Sequence, residues 1–513
     1  MSTPQPNSPL MQISQIRRMS GREMRAHDRR ALVTRRIIRD LQKNGTFFNT
    51  AEGHFYFRKS ETARLFPIGM NLALTALIEE QYGINPAEER EFKHVLKGLE
   101  IEAELRGEKV QVHRVPHYDR ETRRLYVSRF NGMVCRLDGQ QITQVPNGTD
   151  GVFFWDDPSW QAYDILPVVQ EGLVERLIAR SANFCNTAGL TRFEQEWVFH
   201  TWCLAQFFGS LHPTKPILLI CGEKGGGKTL CLRKWLKLLF GEGADVTGLE
   251  RGKQDGFVAA VCSSSIAVFD NVDEHIGWLP DHLAQIATGI KFKRRKYYTT
   301  NELVEFQPQC FVALTSRTPK FINGRDDVLD RTLVLHTSRR KQFSPENDEL
   351  RRIAVNRNAL WSELLRHLNL IVAYRKIEKM AAENVDFRMA DFASFAMVVG
   401  RVAGEGEMAR SILQKLDSAR SDLLLSDDPI ALCLEKWLEN PENHGRKTNS
   451  DELNKEFCEV AKGENIPWFY QNARALGQRL AHITTNLKER FEVEVERDSS
   501  NQALYRFSPK LKR

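Results

Sequence analysis

Gly222-Glu223-Lys224-Gly225-Gly226-Gly227-Lys228-Thr229 fits the pattern GxxxxGK[ST]. At average residue usage its four fixed positions recur by chance in only ~2% of chains this long. Glycines let successive backbone N–H groups turn toward one anion, and a helix N-terminus directly after them adds positive potential. In such a cradle Lys228 reaches the β and γ phosphates of a nucleotide, and the Thr229 hydroxyl takes a magnesium position. A magnesium nucleotide needs a second acid at the end of a neighbouring buried strand. Ser265-Ile266-Ala267-Val268-Phe269-Asp270 supplies it in Asp270. The next residue is Asn271, where a glutamate that polarises the attacking water usually stands. Asp273 or Glu274 can reach that water instead, Asn271 can orient it, and both acids read equally well as solvated loop residues.

A third apolar run, Cys310-Phe311-Val312-Ala313-Leu314, ends in Thr315-Ser316, where a hydroxyl can orient water or touch a γ phosphate. Arg325-Asp326-Asp327-Val328-Leu329-Asp330-Arg331 follows, just before the apolar run from Thr332 to Leu335. An arginine there is placed to enter a neighbouring subunit's site and stabilise transition-state charge. The competing reading for Arg325 and Arg331 is a salt bridge within this acidic run. Between the Asp270 and Thr315 strands, Lys291-Phe292-Lys293-Arg294-Arg295-Lys296-Tyr297-Tyr298 puts five cations in six residues before two aromatics. Such a patch neutralises phosphates while Tyr297 offers a face to a base, or it is a solvated loop.

Those residues need strands and helices to hold them. Pro216 to Cys221 reads as the strand before the glycine loop and Leu230 to Phe240 as the helix after it. Thr191-Arg192-Phe193-Glu194 has the capping-box form and opens a long apolar helix running to about Phe208. From Pro216 to about Leu335 strands and helices alternate, the pattern of a parallel sheet covered by helices. Residues 346 to about 420 read as all helical.

The order GEKGGGKT, SIAVFDN, TGIKFKRRKYYTTNE, FVALTSRTP and RDDVLDRT resembles the ATPase domain of primase-helicase-like proteins of phages and mobile elements. These are AAA+-type motors related to superfamily-three helicases. The resemblance covers roughly residues 190 to 420. It implies ATP and Mg2+ as cofactors, Thr315 and Ser316 at the sensor-one position and Arg331 as the arginine finger. It further implies a homo-oligomeric ring, usually a hexamer, because that finger acts in trans, and a hairpin from the basic segment projecting into the ring's pore onto single-stranded DNA. Asn271 departs from the family's common acid.

Outside that segment the pattern changes. From Phe47 to about Asp157 short alternating stretches with Asn131-Gly132 and Asp138-Gly139 turns predict antiparallel strands, and Leu72 to Tyr82 and Ala87 to Leu99 predict helices. This is an α+β accessory domain with no paired acids of the kind a polymerising primase uses. Residues 428 to 510 read helix, helix, helix, hairpin, a winged-helix-like domain. Its third helix offers Arg474, Arg479 and Lys488 to a major groove, whereas three glutamates on the wing strand favour a protein partner.

The predicted organisation is a P-loop α/β NTPase core of AAA+-like type at 166–340, with a basic, partly disordered arm at 1–45. An accessory domain occupies 46–165, a helical lid 341–425 and the winged-helix-like domain 426–513. The chain has 513 residues with 42% hydrophobic and 27% charged residues, the balance of a soluble globular protein. Its nine cysteines form no CxxC pair, which argues against a disulfide framework or a structural zinc site. With no membrane-length apolar run and no secretory start, the expectation is a cytoplasmic protein without a membrane partner. The net charge is +7, and residues 1–45 alone carry it, in Arg17, Arg18, Arg22, Arg25, Arg29, Arg30, Arg35, Arg36, Arg39 and Lys43 against Glu23, Asp28 and Asp40. That stretch is either a solvated helix or a nucleic-acid arm. The function read from the sequence is an ATP-dependent DNA helicase or translocase in replication of a phage or mobile element. The alternative is a nucleotide-switched ATPase that assembles or regulates partners, in defence or loading.

Overall fold

The computed structural model describes residues 8–19, 23–59, 63–69, 71–168, 170–187, 189–249, 254–272, 276–289, 292–295, 303–306, 310–322, 325–377, 387–426, 428–497 and 502–510. The chain opens with α1 (Pro9–Arg18) and α2 (Ala26–Asn44), followed by β1 (Gly45–Thr50), β2 (Gly53–Arg58) and β3 (Arg64–Pro67). Helices α3 (Leu72–Tyr82) and α4 (Glu89–Arg106) and strand β4 (Glu108–Lys109) complete this unit, whose sheet runs β3-β2-β1-β4. Ile13, Val33, Ile37 and Leu41 pack with Leu74, Ile78, Val95 and Leu99 in one core. The basic segment expected at residues 1–45 as a partly disordered arm or a solvated helix therefore includes two helices, over 9–18 and 26–44, that pack into this core. The apolar residues between the arginines fall on one helical face, and α3 and α4 cover it.

Strands β5 (Val112–His113), β6 (Pro116–Asp119), β7 (Arg124–Ser128), β8 (Met133–Leu137), β9 (Ile142–Pro146) and β10 (Phe153–Phe154) come next. Strands β6 to β9 form an antiparallel meander. Its inward residues Leu125, Val127, Cys135 and Leu137 share a core with Trp202, Trp235 and Trp361 further along the chain. Tyr163 stacks on Trp361, ring centroids 4.1 Å apart, and the buried Arg129 donates to the Tyr163 carbonyl at 2.8 Å. No core boundary therefore falls at residue 165. Period-two alternation says that one face of a strand is covered, and leaves open which element covers it.

After α5 (Leu173–Leu177), helix α6 (Arg192–Ala205) begins with the predicted capping box: Glu194 N donates to Thr191 Oγ1 at 3.3 Å and Thr191 N to Glu194 Oε2 at 2.7 Å. Then follow β11 (Ile217–Gly222), α7 (Lys228–Phe240), β12 (Thr247–Gly248), α8 (Gln254–Ser263), β13 (Ile266–Asp270) and α9 (Leu279–Ala287). The antiparallel hairpin β14 (Phe292–Arg295) and β15 (Leu303–Phe306) precedes β16 (Phe311–Ser316), α10 (Asp326–Leu329) and β17 (Thr332–Thr337). Five strands make one parallel sheet in the order β12-β13-β16-β11-β17. All but the short, exposed edge strand β12 are mostly buried along their length, as a sheet covered on both faces requires. The long α11 (Glu346–Ile377) packs on α7, and α12 (Ala390–Val402) and α13 (Gly406–Ser426) complete that layer.

The tail consists of α14 (Pro429–Trp437), β18 (Thr448–Asn449), α15 (Ser450–Glu464), α16 (Ala473–Arg490), β19 (Phe491–Arg497) and β20 (Ala503–Pro509). The strands pair in the order β18-β20-β19 around a separate core of Leu434, Phe457, Leu480 and Phe507. Helix α16 also packs on α13, and His482 Nε2 lies 3.4 Å from Asp326 Oδ2 of α10. Among the described residues, no helix is long and apolar enough to cross a membrane.

Candidate functional site

Because β11, β13 and β16 are adjacent and parallel, their C-terminal ends meet at one edge of the sheet. The loop after β11 folds back tightly there. Gly222 has φ of 135°, and a Cβ on it would sit 2.0 Å from the Thr337 carbonyl oxygen. Gly227, with φ of 81°, begins α7, and its Cβ would lie 2.1 Å from the Ser181 carbonyl oxygen and 2.3 Å from Arg340 Nη2. Any side chain at either position would break the loop. Lys228 Nζ donates to the Gly222 carbonyl at 2.6 Å and to Glu223 at 2.9 Å, so the cation is held across the loop's mouth.

Helix α7 is fixed at its middle and its C-terminal end. The buried Lys234 pairs with Glu349 of α11 at 2.5 Å and donates to Ser181 Oγ at 2.7 Å. At the C-terminal end the Arg357 guanidinium donates to the Leu238 and Leu239 carbonyls at 2.8 and 3.0 Å, closing carbonyls that a helix C-terminus leaves open. Burial lowers the Arg357 pKa to about 10, which leaves it charged at neutral pH.

Thr229 Oγ1, on the first turn of α7, donates to Asp270 Oδ1 at 2.7 Å. Thr315 Oγ1 from the end of β16 donates to the same oxygen, and Asn271 N donates to Thr315 Oγ1 at 2.9 Å. Three of the expected site residues therefore meet at one carboxylate oxygen. Asn271 is exposed and has a left-handed φ of 61°. Ser316 differs from its neighbour: its hydroxyl points into the loop and donates to the Val272 and Thr318 carbonyls at 3.2 and 2.6 Å. Asp273 and Glu274 lie outside the described residues.

Several groups at this edge escape sequence reading. Strand β17 flanks β11 on the side away from β16, so residues 337–343 wrap the glycine loop. Thr337 Oγ1 donates to the Cys221 carbonyl at 3.0 Å, and Arg340 N donates to the Gly225 carbonyl at 3.2 Å. Asn183 N donates to the Gly226 carbonyl at 2.8 Å while its side chain donates to Ser338 Oγ at 2.9 Å. The Arg340 guanidinium lies over Gly227, a second cation beside Lys228. The one sequence signal was the basic run Ser338-Arg339-Arg340-Lys341, which means nothing until strand order places it at the loop.

Arg331 stands at the other end of the sheet. Ile217 N, at the start of β11, donates to the Arg331 carbonyl at 2.8 Å. Five residues of strand at ~3.3 Å each then separate it from the loop by ~17 Å, more than an arginine side chain spans. Its guanidinium donates to the Asp327 carbonyl. Arg325, expected beside it as a charge-stabilising residue, is paired within its own chain: Nη2 lies 2.6 Å from Asp281 Oδ1 and Nε 3.2 Å from Asp327 Oδ1. Asp330, only 5% exposed, is pushed up by burial and drawn back by Arg420 and Arg388, which bind the segment to α13 and to the stretch before α12.

Of the candidate nucleic-acid residues, Lys293, Arg294 and Arg295 lie on β14, paired with Glu305, Val304 and Leu303. Lys291, Lys296 and Tyr297 lie outside the described residues. Arg474 and Lys488 are exposed on α16. Arg479 is not available to a groove as expected, because it binds Asp428, the residue that caps α14, at 2.8 Å.

Residues 185–422 match the family of actinomycete integrative conjugative element replication proteins. That segment contains the whole five-stranded sheet, the glycine loop, α6 to α12 and most of α13, so the resemblance to primase-helicase-like proteins of mobile elements holds where the motifs placed it. No curated protein matches the chain. Among solved structures, an apo structure of the NrS-1 C-terminal region is 12% identical, covering 92% of this chain and 98% of that chain at a TM-score of 0.42. The SCCmec type IV Cch active helicase is 12% identical, covering 89% of this chain and 90% of that chain at a TM-score of 0.41.

Proposed function

We propose that the protein is an ATP-dependent DNA helicase or translocase acting in replication of a mobile element, and that it works as a homo-oligomeric ring. One observation carries this reading: Thr229 and Thr315 converge on Asp270 beside the glycine loop, while Arg331 sits at the opposite end of the sheet, beyond reach of its own loop. The residues fit ATP with Mg2+. Backbone N–H groups and Lys228 suit a triphosphate tail, and Thr229 Oγ1 and Asp270 are the hard oxygen donors that magnesium takes. Bound there, magnesium neutralises charge on the phosphate oxygens.

In this mechanism the loop from Gly222 to Thr229 binds and orients the phosphates for in-line attack by water. Lys228 and a neighbouring subunit's Arg331 stabilise the charge that spreads over the transferred group. Thr315 holds Asp270 and the Asn271 backbone in register. Asn271, or Asp273 or Glu274, orients the water. Lys293, Arg294 and Arg295 on the β14–β15 hairpin contact single-stranded DNA in the pore. The tail, with a strand between its first two helices and a terminal hairpin, is a winged-helix-like domain that presents Arg474 and Lys488 of α16, whereas Arg479 holds that domain together.

A second reading rests on Asn271: with no carboxylate there, the protein binds ATP, turns it over seldom and switches the assembly of partners. Steady-state ATP hydrolysis with and without single-stranded DNA, beside a strand-displacement assay, separates the two. A motor is stimulated several-fold and displaces the strand, and charge reversal at Lys293, Arg294 and Arg295 abolishes both. Slow hydrolysis indifferent to DNA would overturn the motor in favour of the switch.

A further inference from the structure

The N-terminal helices carry a cationic surface that neither the nucleotide site nor the tail uses. Helix α2 buries Val33, Thr34, Ile37 and Leu41 on one side. At about 100° per residue, Arg25, Arg36 and Lys43 fall within about 20° of one another on the opposite side, and Arg35 and Arg39 complete an arc of about 100°. Leu32 lies in the middle of it, 37% exposed. Arg25, Arg35, Arg39 and Lys43 are exposed, and among the described residues no carboxylate lies within ion-pair distance of these four or of Arg36. The Arg36 Nε is buried and has no hydrogen-bond partner.

Two acids of α2 lie nearby. Asp28, on the same arc, faces His27 at 3.7 Å, and Asp40 accepts from the Tyr82 hydroxyl at 3.0 Å. Arg29 is not part of the surface in the same sense, because it donates to the Arg17 and Met19 carbonyls at the end of α1. A solvated helix gains by alternating charges at i, i+4. Here Arg35–Arg39 and Arg39–Lys43 repeat one sign at that spacing, which costs helix stability unless an anion lies across them. The burial of the opposite face keeps the helix folded despite that cost. Residues 1–45 also hold the chain's entire formal excess of +7.

We infer that this face of α2 is a sequence-independent binding surface for the phosphodiester backbone of DNA, separate from the pore hairpin and the tail. From Arg25 to Lys43 the helix runs ~27 Å, the length of about eight base pairs of duplex. The surface has no base-reading amide side chains along the arc, only five cations, Leu32 and the single carboxylate of Asp28, so it positions a strand and does not read it. It does not rest on the ATPase reading, since nothing in it touches the glycine loop.

The test uses the full chain without nucleotide and follows fluorescence anisotropy of a labelled 30-mer, single-stranded or duplex, over a salt series. The variant Arg35→Ala, Arg36→Ala, Arg39→Ala and Lys43→Ala keeps helix propensity and the buried face. Binding is expected to weaken at least tenfold at about 100 mM salt, and the slope of log K against log salt to fall by about 3. The arm that loses more, single strand or duplex, names the natural ligand. ATP hydrolysis without DNA stays at the parental level, and Lys228→Ala leaves the anisotropy unchanged. Parental affinity and slope in a variant that melts at the parental temperature would overturn the proposal. So would loss of binding to phosphatidylserine vesicles with both oligonucleotides unaffected.

Discussion

The two ends of the five-stranded sheet differ in what their polar groups do. At the C-terminal end, Lys228, Thr229, Asp270 and Thr315 come from three adjacent strand ends and bond mainly to one another and to the loop. At the N-terminal end, Arg325, Asp330 and Arg331 precede β17, and their partners are Asp281, Arg388, Arg420 and the Asp327 carbonyl. One end gathers the glycine loop around Asp270, and the other braces the start of β17 against α9, α13 and the stretch before α12. Parallel strands impose this separation. A residue before a strand and a loop after its neighbour lie a full strand length apart, so a group from the brace can serve a cradle only on another subunit.

The contrast can be broken most forcefully at Lys228. Lys228→Ala should remove hydrolysis altogether, a fall of at least 10²-fold in released phosphate, because the loop loses its charge and its closing hydrogen bonds. Arg331→Ala should lower hydrolysis by about 10³-fold while leaving the affinity for a fluorescent ATP analogue within a factor of two. Equal losses in binding and turnover would place Arg331 in a folding role. Thr315→Val removes the donor to Asp270 and the acceptor for Asn271 N. At about 1–3 kcal/mol for polar groups left unpaired, kcat should drop roughly ten- to a hundredfold with KM little changed. Arg325→Ala gives up half-exposed ion pairs of the kind worth at most about 1 kcal/mol. Its hydrolysis should stay within about twofold of the parent, against the large loss at Arg331 six positions on.

What could be read in advance followed the range of the interactions. The glycine loop, Asp270 and Thr315 were legible because each is marked by its own strand and a short local pattern. The same holds for the capping box at Thr191 and for α3 over Leu72–Tyr82. Arg339, Arg340 and Asn183 were illegible because they reach the loop only through strand order, with β17 placed beside β11. The pairing of Arg325 depends on Asp281 in another helix, and that of Arg479 on Asp428, neither marked by spacing. Ser316 and Thr315 are chemically alike, and only the pleat, which sends alternate side chains to opposite faces, decides that Thr315 meets Asp270. The helical reading of the arginine-rich stretch was legible, but which elements bury Val33, Ile37 and Leu41 of α2 was not.

The central claim is that a site formed by one subunit is completed by the Arg331 of the next. Mixing Lys228→Ala with Arg331→Ala under conditions where light scattering shows joint assembly tests it directly. Each variant alone should be inactive, and the mixture should hydrolyse ATP well above the sum of the two, since intact loops then face intact arginines. Mixed assemblies as inactive as their parts would contradict the account.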